Sequence, residues 1–179
     1  MTSGDTQWPR YQVFHQDGPY RPHVNSGTVH AADAEMALQN ARDVFVRRPD
    51  CVSLWVARAG VIQSLTAEEL ESAGVPEPTY GSLGTYQVFL KKSQVGSHEH
   101  AGSVQATSAA GALAAATDKF EKEEVLVWWV VPEALIVRTE PDEIDSLFQP
   151  AASKLYRDPA FYHTVTLMRR LREAESESP

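Results

Sequence analysis

The residues of this sequence best suited to chemistry are its six histidines, and the densest pair is His98-Glu99-His100. In an extended strand those two imidazoles share one face, as two ligands of a metal would. A metal site needs further ligands at about 2 Å, and the sequence offers neither a His-Glu-x-x-His helix nor a cysteine cluster to supply them. His23 and His98 are related by an internal repeat, which points to hydrogen bonding at a turn or strand edge. His15, His30 and His163 lack a recognisable partner pattern and read as surface or second-layer groups. General acid-base catalysis requires carboxyls whose environments separate their pKa values, and no such pair stands out. Asp33 and Ser108 are better explained as helix caps, Glu68, Glu69 and Glu71 as polar turns of a short helix, and Glu121-Lys122-Glu123-Glu124 as a solvated helix end. Cys51 is alone, so it forms no disulfide within the chain and reads as a buried small hydrophobe. Gly81-Ser82-Leu83-Gly84 lacks the strand-to-helix context of a phosphate loop, and no serine nucleophile elbow is present. The expectation is therefore no catalytic, metal or cofactor site on this chain.

Composition narrows the class further. Twenty-four acidic against 16 basic residues leave a net charge of -8, a poor match to a phosphate backbone. A hydrophobic content of 42% supplies a core. The start of the sequence lacks the basic and apolar stretches of a signal peptide, and no window reaches the ~18 apolar residues of a membrane span, so the expected location is cytoplasmic.

The elements that must position any site come from a duplication. Tyr11-Gln12-Val13-Phe14 recurs as Tyr86-Gln87-Val88-Phe89, and the same spacing carries His23 onto His98, Gly27 onto Gly102, Leu38 onto Leu113 and Phe45 onto Phe120. After a one-residue deletion Trp55-Val56 meets Trp129-Val130. An ordered series of this length marks tandem copies of one small fold. The organisation read from it is a first repeat over 8–64, a short helix and linker over 65–84, a divergent second repeat over 85–139, and a tail with a charged terminus over 140–179.

Each copy offers two strands, at Tyr11 to His15 and Ser26 to His30 in the first, then a helix carrying Ala34, Ala37, Leu38, Ala41 and Phe45 on one stripe. A β-rich run follows, Val52 to Ala57 or Val125 to Val131, and a shorter one around Val61-Ile62 or Leu135-Ile136. Thr66 and Glu69 form a capping box for a helix from Ala67 to Ala73 that Gly74 stops. The fold class is α+β: two tandem small rolls of β-β-α-β-β type, each a mixed sheet under one helix as in a ubiquitin-like roll, packed as an intramolecular pseudo-dimer. One helix covers one face, so the other face must meet water, the sister repeat or another protein.

Aromatic and arginine residues suggest contacts rather than chemistry. Trp8, Trp55, Trp128, Arg47 and Arg48 are candidate partner-binding residues. Trp128 and Trp129 point to opposite faces of a regular strand, so at least one should cover the free sheet face or the repeat interface. The tail from Phe148 to Tyr162 adds Tyr156, Arg157, Phe161 and Tyr162, with Pro150 and Pro159 favouring an extended path that presents aromatic anchors to a partner.

Two stretches resemble a known family. Trp8-Pro9-Arg10-Tyr11-Gln12-Val13-Phe14, His23 to Asp33, Ala37 to Asp43, Arg47-Arg48 and Ser53-Leu54-Trp55-Val56 are similar to the opening of the phenylacetic acid degradation protein B family, the B subunit of the bacterial phenylacetyl-coenzyme A ring epoxidase. Phe148 to Tyr162 resembles the family tail, which in a short member follows one copy directly. Copy two departs from the pattern, with Ser103, Gln105 and Thr107 in place of Thr28, His30 and Ala32. The resemblance implies a non-catalytic structural subunit whose partners are oxygenase subunits that carry the di-iron and reductase cofactors, with self-association also open. A tandem binding or regulatory module for a different oxygenase or a small ligand is the alternative.

Overall fold

The computed structural model describes residues 7–46, 51–77, 79, 81–120, 125–152 and 163–176. The first copy begins with strands β1 (Arg10–Asp17) and β2 (Val24–His30), then helix α1 (Ala34–Phe45), then β3 (Cys51–Arg58). Strand β4 (Gln63–Thr66) and helix α2 (Ala67–Ala73) lead into the second copy, which repeats the order as β5 (Gly84–Lys91), β6 (Glu99–Ala106), α3 (Ala109–Lys119), β7 (Val127–Pro132) and β8 (Ile136–Arg138). Two helices close the described chain, α4 (Ile144–Ala152) and α5 (Thr164–Ser176).

The helices start where their caps dictate. Asp33 accepts from the Met36 amide at 2.8 Å and Ser108 from the Gly111 amide at 3.1 Å, each satisfying an otherwise orphaned donor. The capping box at α2 is complete, and the Thr66 backbone amide holds the Glu69 carboxyl below its usual range. Ala37, Leu38 and Ala41 bury the stripe of α1 against the sheet, and Ala112, Leu113 and Ala116 do so for α3.

The strands form one eight-stranded sheet in the order β4-β7-β5-β6-β2-β1-β3-β8, antiparallel at every pairing, in place of two mixed sheets. The reason lies in the last strand of each copy. Between β3 and β4 the chain makes a single 3-10 turn, Ala59–Val61, with Ile62 after it, and this carries β4 away from β3 instead of folding it back as a hairpin. Strand β4 therefore runs on to pair with β7 of the other copy, Leu65 opposite Trp128, while β8 pairs with β3, Val137 opposite Val56. Each half of the sheet is completed by a strand from the other repeat, so neither copy is a self-contained roll.

The exchange carries the following helices with it. Ala67 and Leu70 of α2 pack on the core of copy two, and Ile144, Leu147 and Phe148 of α4 pack on the core of copy one. Phe148, expected to open an extended partner-binding path, is instead a buried residue on a regular helix at 5% exposure. The start of the tail thus covers copy one.

The join between halves lies at β2 and β6. Val24 pairs with Glu99, its own repeat equivalent, and the flanking bonds are reciprocal: Asn25 N–H to the His98 carbonyl and His100 N–H to the His23 carbonyl, both 2.8 Å. Pairing between equivalent residues is the mark of a two-fold axis. Beside the axis both copies bend at a bulge, between Val13 and Phe14 and between Val88 and Phe89. The bulges place Gly27 at φ 130° and Gly102 at φ 138°, where Phe45 and Phe120 close over them and leave little or no room for a Cβ. The sheet curls enough for Phe14 and Phe89, on strands separated by β2 and β6, to stack at 4.0 Å between centroids. No helix among the described residues is long and apolar enough to cross a membrane.

Candidate functional site

The face of the sheet opposite α1 and α3 gathers aromatic and imidazole groups from both copies. Its floor is a dry cluster of Phe14, Ala57, Phe89, Val131 and Ile136, drawn from both copies. Phe14 and Phe89 reach it by ordinary strand alternation, which sets them opposite to Val13 and Val88 in the helix-side cores.

Around the floor stand two imidazole–indole stacks related by the two-fold axis. His23 stacks on Trp55 at 3.7 Å and His98 on Trp129 at 3.4 Å. His23 Nε2 lies 3.0 Å from Ser53 Oγ, whereas His98 Nε2 is buried with no hydrogen-bond partner. The Trp55 side is more elaborate. His100 Nε2 donates to the buried Gln87 Oε1 at 2.6 Å and meets Trp55 edge-on at 5.2 Å, and the Arg138 guanidinium sits 4.4 Å from the Trp55 centroid while pairing with Glu133 at 2.8 Å.

Burial decides what these groups do. Desolvation pushes His23 down to about 3, reinforced by His100 and Arg138, and pushes His98 down to about 4 with help from Lys91. His100 is lowered for the same leading reason. All three are neutral at pH 7 and serve as flat packing groups, two of which, His23 and His100, also have a hydrogen-bond partner on the ring. Among the described residues no group of three or more histidine, cysteine, aspartate or glutamate side chains stands close enough to hold a metal ion.

A smaller array sits at the tip of the first hairpin. His15 Nδ1 contacts Ser26 Oγ and its Nε2 lies 3.2 Å from Asp17 Oδ2, so His15 has partners that its sequence context did not reveal. The order carboxylate, imidazole, hydroxyl is that of a nucleophilic triad, but the Asp17 side chain is 48% exposed and water screens it. Copy two carries Leu90, Lys92 and Ala101 at the equivalent places. The array ties the hairpin together.

The other residues singled out in the sequence fall in several places. Trp55 lies in the inner-face cluster. Trp129, not Trp128, faces the sister repeat; Trp128 is fully buried under α3 with Val88 and Leu113, so it has no surface to offer a partner. Trp8 is 57% exposed ahead of β1, where its carbonyl meets His30 Nδ1 at 2.8 Å. Cys51 is buried in the core of copy one and burial pushes its thiol up to about 11, well away from a reactive thiolate. Arg47, Arg48, Tyr156, Arg157, Phe161 and Tyr162 lie outside the described residues. Sequence reasoning missed the role of His23 and His98 as stacked inner-face groups, although their equivalence in the repeat, together with that of Trp55 and Trp129, was the available signal.

Comparison with known proteins agrees with this architecture of two equivalent halves. The profile of the Phenylacetic acid degradation B family matches twice, over residues 7–78 and 82–169. The B subunit of 1,2-phenylacetyl-CoA epoxidase from Escherichia coli (strain K12) is 44% identical over 62 residues, 35% of this chain and 65% of that protein. The match thus spans just under two thirds of the relative's own length. No solved structure matches the chain. With both repeats matched and most of the sequence covered, this chain belongs to the phenylacetic acid degradation B family.

Proposed function

We propose that this chain is a non-catalytic structural subunit of a multicomponent monooxygenase that epoxidises the ring of phenylacetyl-coenzyme A in aerobic phenylacetate degradation. The observation that carries the reading is the family match on both copies, joined by a relative named as the B subunit of a phenylacetyl-CoA epoxidase. The geometry supports it: Trp55 packs on Phe89 and His100 of the other copy, the His23 and His98 carbonyls accept backbone bonds across the join, and the buried histidines are neutral at pH 7. The partners are the oxygenase subunits, which hold the di-iron and reductase cofactors, and the location is cytoplasmic. A second reading, a tandem module for another oxygenase or a small ligand, is favoured by one feature. The Arg138–Glu133 pair decorates only the Trp55 side, where copy one has Ala59 and Ser64 at the corresponding places.

The decisive experiment is a reconstitution that reads assembly and phenylacetyl-coenzyme A epoxidation with and without this chain. Joint loss of both on omission supports the scaffold. Folded oxygenase subunits that fail to bind the chain, or that turn over fully without it, sink the reading. In the same assay Tyr156→Ala combined with Phe161→Ala should weaken assembly while the far-ultraviolet spectrum stays unchanged. Unaltered affinity would remove the tail from the interface.

A further inference from the structure

We infer that copy two carries a binding site, between its β5–β6 hairpin and the end of α3, for a small carboxylate with an apolar body. The place is a cavity of about 370 Å³, near the lower end of the range for small-molecule sites. The buried Leu90 and half-buried Phe120, with Ala101, form its apolar wall. Three exposed charged residues, Lys92, Glu99 and Lys119, form its rim.

The internal repeat gives this cavity its comparison. The equivalent positions in copy one are His15, Ser26 and Phe45 for the wall and Asp17, Val24 and Val44 for the rim. There the His15 imidazole bridges Ser26 and Asp17. Copy two has Leu90 for the imidazole and Ala101 for the hydroxyl, so neither polar contact can form. Loss of the array needs only those two changes. Yet Asp17 is also replaced by Lys92 and Val44 by Lys119, so a rim with one acid and no lysine has become a rim with two lysines and one acid. Wall and charge have changed together.

The charge count selects the ligand. Two lysines against one glutamate leave the rim with one net positive charge, because burial lowers the pKa of His100, the remaining polar neighbour, and keeps it neutral at pH 7. Lys119 is already held in place, since its Nζ donates to the Ser103 carbonyl at 2.8 Å and lies 5.5 Å from the Phe120 ring centroid. An ammonium has three donors, so others remain for a ligand. A carboxylate matches the single charge, and a ring or short branched chain behind it covers Leu90 and Phe120. Inorganic phosphate brings about two negative charges at pH 7, meets Glu99 with the excess and leaves the apolar wall wet. A nucleic acid brings still more charge than the rim can balance.

Titration of the full chain with sodium benzoate, followed by amide chemical shifts, tests this without any other subunit, and so independently of the function proposed above. Saturable shifts should centre on Leu90, Ala101 and Phe120, with a dissociation constant of about 1 mM or tighter. Lys92→Gln with Lys119→Gln, two exposed changes, should weaken binding on the order of tenfold. Ala101→Leu, at an exposed position where the added side chain takes up the space, should abolish it. Benzyl alcohol has the ring without the charge, and inorganic phosphate has the charge without the ring, so each should bind about tenfold more weakly or not at all. Shifts that do not saturate or that centre elsewhere, or a double lysine variant that binds benzoate as the wild type does, overturn the inference. So does benzyl alcohol or phosphate binding as tightly as benzoate.

Discussion

The two stacks on the inner face share one plan and differ in a single kind of support. His23 on Trp55 has Ser53 at 3.0 Å from its Nε2, and its indole carries Arg138, itself held by Glu133. His98 on Trp129 has Val127 where Ser53 stands, and its Nε2 is buried without a partner. Apolar contact, ring stacking and one polar contact are common to both copies, since Asn25 Nδ2 donates to Gln12 Oε1 at 3.1 Å where His100 donates to Gln87, while the Ser53 and Arg138 contacts are confined to the Trp55 side. Stacking needs only two flat groups that meet over the strand between them, so it tolerates drift in the surroundings. A hydrogen bond fails with one substitution. The comparison teaches which part of the interface holds the halves together and which part tunes one side.

If the shared apolar floor is what joins the halves, its loss should have the largest effect. Phe14→Ala or Phe89→Ala removes half of a stack at the two-fold axis and leaves a cavity in a dry cluster, which should cost about 3–5 kcal/mol. Because the fourth strands are exchanged, unfolding should remain a single transition in either variant, measured in urea by fluorescence and circular dichroism together. Separate transitions for the two probes would show that the halves are independent.

Acid should act next, and on both sides. His23 and His98 have folded-state pKa values depressed to about 3 and about 4, against 6.5 for a free histidine. The unfolded chain binds protons first as the pH falls, so their contribution is complete above pH 6.5 and is lost progressively below it, down to about pH 3. Stability measured from pH 7 to pH 4 should fall, and replacing both histidines with phenylalanine should flatten the slope. An unchanged slope would mean that other groups govern the acid limb.

Much of this arrangement was legible in the sequence, and the gaps have physical causes. The duplication, both helix stripes, the caps at Asp33, Ser108 and Thr66, and the need to cover a second sheet face all follow from local pattern. The fate of β4 and β8 does not, because which edge a short strand joins is decided by the edge that the other repeat offers it, not by its own residues. The choice between Trp128 and Trp129 was equally hidden, since the apolar run Val127 to Val131 has no polar alternation to mark its faces. Phe148 misled for a different reason. Pro150 suggested an interruption, yet the nine-residue helix α4 runs through it.

The finest test concerns the polar difference itself. Removing the Trp55-side support with Ser53→Val leaves His23 Nε2 buried and bare, the state that His98 already occupies, and should cost about 1–3 kcal/mol. The reverse change, Val127→Ser, should give His98 Nε2 the partner that the two-fold relation predicts. Its net effect on stability will be small, because a hydroxyl in place of an isopropyl group sacrifices apolar contact and strand propensity that offset a hydrogen bond worth about 0.5–1.5 kcal/mol. The coupling is therefore the quantity to read. In a double-mutant cycle with His98→Phe, Val127→Ser should show an interaction of about 1 kcal/mol, and Val127→Ala should show none. If serine and alanine behave alike, the vacant nitrogen of His98 is satisfied in some other way, and the two sides of the inner face are more nearly equal than their residues suggest.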